Sequence, residues 1–152
     1  MNPGRLGRGE IIAAVGGVLL AICLFLPWYE TSPDNRNAVI DGARGSLSGW
    51  EVHPIMRWLL LAAAVAPLIL LYIVMRDHQL SWPRGEMTAV VGIAAFGLIG
   101  YTGLLDRPGD PSGEISLRFG FWGAFLGSIL MSVGGAMRAS ESERARKPPG
   151  VL

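Results

Sequence analysis

Residues Ile55–Met75 read IMRWLLLAAAVAPLILLYIVM. Beyond Arg57 the run carries no charge. At about 20 residues it is long enough for a helix rising 1.5 Å per residue to cross a hydrocarbon layer ~30 Å thick. Lipid offers no water to bond a bare N–H or C=O, so a run of this kind must satisfy its backbone internally, as helix. Arg57 sits one turn inside the run and can reach the interface along its own aliphatic stem. Pro67 removes one intrahelical bond and predicts a kink near Ala63.

Three further stretches share this character: residues 11–28, 87–105 and 119–137. None holds an interior Asp, Glu or Lys. Charged residues make up 16% of the 152-residue chain and hydrophobic ones 51%, against about 25% charged in a typical soluble domain. The expected fold is therefore an all-α membrane protein, a four-transmembrane-helix antiparallel bundle joined by short connections. Residues 1–10 form a cytoplasmic N-terminus, 11–137 the transmembrane domain, and 138–152 a flexible cytoplasmic tail. Residues 29–54 and 106–118 are outer loops. In the first of these, Ala38-Val39-Ile40 entering Asp41-Gly42 reads as a strand meeting a tight turn, so a small β-hairpin is expected there.

The first stretch ends in Leu26-Pro27-Trp28-Tyr29 and lacks a small-x-small cleavage site, which favours an uncleaved helix over a signal peptide. The apolar run also continues past Cys23, unlike a lipoprotein signal. Orientation follows from the basic residues. With the N-terminus inside, Arg5, Arg8, Arg76, Arg84, Arg138, Arg144, Arg146 and Lys147 are cytoplasmic, while Arg36, Arg44, Arg57, Arg107 and Arg118 are outside. The excess inside places both termini in the cytoplasm of a cell (plasma) membrane protein.

Candidate chemistry is sparse. Cys23 is the single cysteine, which leaves no intrachain disulfide and no paired-cysteine zinc site. No acid or base lies at membrane depth, where proton relays need one. The deep polar groups are Cys23, Tyr72, Thr88, Thr102, Ser128 and Ser132, and the polar stripe a pore needs could come only from Thr88, Tyr101 and Thr102 in the third helix and Ser128 and Ser132 in the fourth, a thin supply. Asp41-Gly42-Ala43-Arg44 lacks the spacing and the continuation of a CDP-alcohol phosphotransferase motif. Asp106 and Asp110 flank Pro108-Gly109 and so share no helical face. Asp41, Glu51 and His53 read as interfacial polar residues rather than metal ligands, and no cofactor motif is present. The net charge of +1 gives no reason to expect nucleic acid.

Two patterns carry the remaining signal. Small residues, at which helices approach closely in lipid, line Ala13, Gly17 and Ala21 in the first helix and Gly120, Gly123 and Gly127 in the fourth. The third carries Gly92, Gly97, Gly100 and Gly103. These faces suit packing within the chain, a homo-oligomer, or a larger membrane complex. Aromatic residues gather toward the outer side, with Trp28, Tyr29, Trp50 and Trp122 as a candidate cluster. Tyr72 and Trp82 map inward.

Phe25-Leu26-Pro27-Trp28-Tyr29, Ser48-Gly49-Trp50-Glu51 and Ser116-Leu117-Arg118-Phe119-Gly120 together resemble a set of small, uncharacterised four-helix integral membrane proteins from actinobacteria. The layout of Trp28 and Gly49-Trp50 is also similar to that of the claudin-type superfamily, without its loop cysteines. Both resemblances imply a fold rather than an activity. The function expected is a non-catalytic scaffold or accessory subunit that meets membrane partners through small-residue faces and an outer loop. The alternative is a homo-oligomeric channel or a lipid- or small-molecule-binding pore protein.

Overall fold

The computed structural model describes residues 4, 6–76, 78, 83–146 and 150. Arg5, Asp77, Trp82 and Lys147 lie outside them, as do the side chain of Arg146 and most of the last residues of the tail. The chain is mostly helical and carries a small three-stranded sheet. Helix α1 (Arg8–Leu24) leads into strand β1 (Pro27–Thr31). Strand β2 (Ser46–Ser48) runs into a single turn, α2 (Gly49–Val52), and then into α3 (Met56–Met75). Helix α4 (Arg84–Gly100) continues as a π-helical turn, Tyr101–Leu105. Strand β3 (Ile115–Leu117) precedes α5 (Phe119–Arg146). Among the described residues, three helical segments are long and apolar enough to cross a membrane: Met56–Met75, Arg84–Leu105 and Phe119–Ala145.

The first helix differs from the expected 11–28. It begins at Arg8 and has 17 residues, a rise of about 26 Å. Its start is fixed by Glu10, whose carboxylate accepts from the Gly7 N–H at 3.0 Å. Its end comes before Pro27, which has no N–H for a further turn. Trp28 therefore belongs to a strand. The third stretch starts earlier than expected, at Arg84.

The tail also differs. The segment from Arg138, expected to be flexible, extends α5 to Arg146. Arg138 forms an ion pair with Glu10 of α1 at 3.1 Å and lies 3.8 Å from Glu141 on its own helix. The hydroxyls of Ser140 and Ser142 donate to the carbonyls of Met137 and Arg138. Charge at i and i+3, together with anchoring to α1, keeps this polar segment helical.

The expected hairpin forms only as a bridged turn. Ile40 and Ala43 exchange backbone bonds of 2.9 Å around Asp41 (φ 48°) and Gly42 (φ 78°), the double positive φ of a type I′ turn. The sheet is built from other residues, in the order β2-β1-β3, all antiparallel. Val39 then pairs with Asp110, joining the two long loops.

In the bundle, α5 packs against α1 on one side and α4 on the other, α1 also packs against α3, and α3 meets α4 more thinly. Pro67 lies within an unbroken α3.

Candidate functional site: the aromatic cap

One end of the bundle is closed by the sheet. Strand β1 is its centre, and an irregularity in its pairing with β2 falls at Trp28: Pro27 faces Ser48 while Tyr29 faces Leu47. A regular strand sends neighbouring side chains to opposite faces. The extra residue of a bulge breaks that alternation, and here Trp28 and Tyr29 are both fully buried.

Trp28 is held at both ends. Its indole N–H donates to the Cys23 carbonyl at 2.7 Å, and its ring stands edge-to-face on Phe121 at 5.9 Å. Gly49 lies beneath the ring, where an added Cβ would come within 2.5 Å of it. The backbone of Trp28 accepts from Arg118 N–H at 2.7 Å, which ties the start of α5 to β1.

Tyr29 reaches across to α2 and α4. Its hydroxyl is 2.9 Å from His53 Nε2 and 3.4 Å from the Thr102 carbonyl. A phenol has one proton. If it goes to Thr102, Nε2–H of His53 is the donor to the phenol oxygen. Burial keeps both groups neutral. It pushes Tyr29 up to about 12, with the Thr102 contact and the Arg107 charge pulling the other way. It pushes His53 down to about 4, with the Asp41 charge opposing. Arg107 fastens the far side, donating to the carbonyls of Gly103 at 3.1 Å and Ile115 at 2.6 Å.

The four aromatics singled out from the sequence fall into two places. Trp28 and Tyr29 form the buried centre. Trp122 is half exposed and touches Phe121 at 5.1 Å, so it meets Trp28 only through that ring. Trp50 stands apart in a surface cluster with Phe25 at 4.9 Å and Trp58 at 5.1 Å. The Arg57 guanidinium lies 5.0 Å from the Trp50 ring centre and 5.7 Å from that of Trp58. Phe121, His53 and Gly49 complete the centre and were not picked out as a group. Glu51, weighed with His53 as a ligand, instead closes a capping box: its carboxylate accepts from Ser48 N–H and Oγ, both at 2.8 Å, which holds it below the usual carboxylate range.

The small-residue faces meet inside the chain. Gly120 of α5 abuts the carbonyls of Leu26 and Pro27, Gly123 abuts Cys23 Sγ, and Gly127 abuts Gly16 and Leu20. On α1, Ala13 lies against Gly134, whereas Gly17 turns to Ala64 and Pro67 of α3. Ala21 is partly buried against the core. No protein-family model matches the chain, and no curated protein or solved structure does.

Proposed function

We propose that this chain is a plasma-membrane protein that crosses the bilayer four times, keeps both termini in the cytoplasm, and acts without catalysis as a scaffold or accessory subunit of a larger membrane complex. The observation that carries this reading is the folded cap: its loops form a preformed platform at the end of the bundle, bearing the exposed Phe25 and Trp58 around a partly buried Trp50.

Support for a fourth span comes from α1 itself. It lies between α5 and α3, and its free face is the stripe Ile11, Val15, Val18 and Ile22, each 44–56% exposed. A stripe of that chemistry belongs against lipid rather than water. An even number of crossings returns both termini to one side, which the distribution of basic residues places in the cytoplasm.

Because most glycine faces meet within the chain, partner contact falls to the cap and to the open flank of α4. There Gly97 has nothing within 4 Å and neighbours the exposed Ala94. That flank also suits a second copy of the chain. The deep hydroxyls favour the accessory role over a pore. Those of Thr88, Thr102, Ser128 and Ser132 all donate to carbonyls of their own helices, so they are engaged rather than aligned on a shared axis.

Topology labelling combined with photocrosslinking tests the proposal. Tags at both ends should react only from the cytoplasm, and a cysteine at Arg36 only from outside. A photoreactive residue at Trp58 or Gly97 should give one discrete product in native membranes, and one at buried Trp28 none. Termini labelled on opposite sides would overturn the topology. No discrete product from either exposed site would overturn the accessory role.

A further inference from the structure

The bundle closes in the order α1–α5–α4–α3, and the α3–α4 seam is the thinnest of the four. Toward the end that carries the termini, these two helices part and leave a cleft of about 260 Å³. Its walls are Ala66, Ile69 and Leu70 of α3 with Met87 and Val91 of α4. Thr88 also lines it, but its hydroxyl bonds the Arg84 carbonyl at 3.0 Å. Arg84 stands at the cleft's end, and its guanidinium has no ion pair among the described residues. Glu10, which lines a neighbouring small void with Arg84, is already engaged by Arg138 at 3.1 Å and by Gly7 N–H.

An apolar cleft open to hydrocarbon does not hold water, and leaving it empty forfeits the dispersion contacts of its lining. An acyl chain has the shape and chemistry to fill it. Lipid tails are as apolar as the walls, so filling alone gives no selectivity. Selectivity comes from Arg84 at the mouth, a cation without an ion pair among the described residues, which complements a phosphate. A larger groove between α1 and α3, about 510 Å³, is lined by apolar residues only and provides a control.

We propose that the α3–α4 cleft binds one anionic phospholipid, with an acyl chain between Leu70 and Val91 and the headgroup phosphate on Arg84. This rests on the membrane placement above, but not on the accessory role or on which side the termini face.

The test is native mass spectrometry of the detergent-purified protein titrated with phosphatidylglycerol or phosphatidylcholine of identical chains. The first bound lipid should favour phosphatidylglycerol by about fivefold. Arg84→Gln should abolish that preference and Arg84→Lys should keep it. Ala66→Trp, which fills the cleft, should weaken the first adduct of both lipids, while Leu68→Trp in the α1–α3 groove should not. Only variants that elute and unfold like the parent are compared. Equal binding of the two lipids by the parent would overturn the proposal, as would a preference that survives Arg84→Gln or an adduct indifferent to Ala66→Trp. Competition by glycerol phosphate would show a phosphate site without a chain and overturn the lipid assignment. A chain that stayed monodisperse without detergent would overturn the membrane placement, and the cleft proposal with it.

Discussion

Gly16→Ala should destabilise the bundle, and Gly97→Ala should not. A Cβ on Gly16 would lie 2.6 Å from the Gly127 carbonyl oxygen, 2.7 Å from Met131 N and 2.9 Å from Leu130 Cβ. Two of these neighbours are backbone atoms of α5 and cannot rotate away. Restoring an ordinary contact of about 3.4 Å requires α1 and α5 to separate by ~0.8 Å there, a gap that forfeits a quarter to a half of each well along the seam. The expected cost is about 1–3 kcal/mol. At Gly97 a Cβ meets nothing within 4 Å, so the only change is helix propensity. That is worth up to about 1 kcal/mol in favour of Ala, and close to zero if the denatured state keeps its helices. The assay is SDS titration from a mild detergent, followed by tryptophan emission, because Trp28 is fully buried in the fold and is exposed on unfolding. Equal midpoints for Gly16→Ala and the parent would refute the α1–α5 seam. A loss at Gly97 as large as that at Gly16 would refute the assignment of inner and outer faces.

The cap makes its own predictions. Tyr29→Phe removes the partner of a partly buried imidazole and should cost about 1–2 kcal/mol in the same titration. His53 is depressed to about 4, so below the ordinary value near 6.5 the unfolded chain takes up its proton first. Stability should therefore fall as pH drops from about 6.5 toward 4, by on the order of 3 kcal/mol over the whole window, and His53→Gln should flatten that slope. Tyr29 is raised to about 12, so the opposite limb should appear above about pH 10, where the unfolded chain ionises first. Gly49→Ala should displace the Trp28 ring, seen as a red-shifted emission in the folded state, because the ring is pinned by its bond to Cys23 and cannot yield freely. Arg138→Ala strands Glu10, whose side chain is only 11% exposed, and should cost about 1–3 kcal/mol. Arg118→Ala breaks an exposed pair with Glu30 and should cost below about 1 kcal/mol, vanishing in high salt.

The membrane-length helices were legible because lipid imposes a requirement that composition alone reveals. A run such as Leu59–Met75 has few other fates. The sheet was much less legible. Ser46–Ser48 and Ile115–Leu117 are three residues each, too short to show an alternation, and their common partner β1 lies far away in sequence. Pro27 was the visible sign that α1 stops early, and it was read as part of the apolar run. Within the candidate site, Trp28 and Tyr29 stood out by type. Phe121, which joins them to Trp122, was hidden inside a stretch where any large apolar residue fits. The glycines show the same limit. A spacing of four picks Ala13, Gly17 and Ala21 as one face, but α1 is wedged between two helices. Neighbouring residues point about 100° apart, so Gly16 serves α5 and Gly17 serves α3. Which of two adjacent glycines meets which helix is decided by the arrangement of the bundle, and no local pattern contains it.

The two ends of the molecule are built differently, and the difference follows from where the close contacts lie. Helices α1, α5 and α4 are joined by backbone-close glycine seams at Gly16–Gly127, Gly9–Gly134, Gly92–Ser132 and Gly85–Ala139. The cap adds β1 to this unit through Arg118–Trp28 and through Arg107 to β3. Helix α3 is fixed at the cap end through α2 and His53, and at mid-length where Gly17 meets Ala64 and Pro67. Beyond Pro67 its seam to α4 opens into the cleft beside Arg84. That half of α3 keeps its packing on α1 but has only the thin α4 seam on its other side. The proposed lipid site therefore falls at the thinnest helix seam, where Arg84 has no ion pair among the described residues, and away from the sheet-bearing end. That division suits the accessory role proposed above, in which the cap keeps a constant face toward partners while the proposed lipid site lies at the other end.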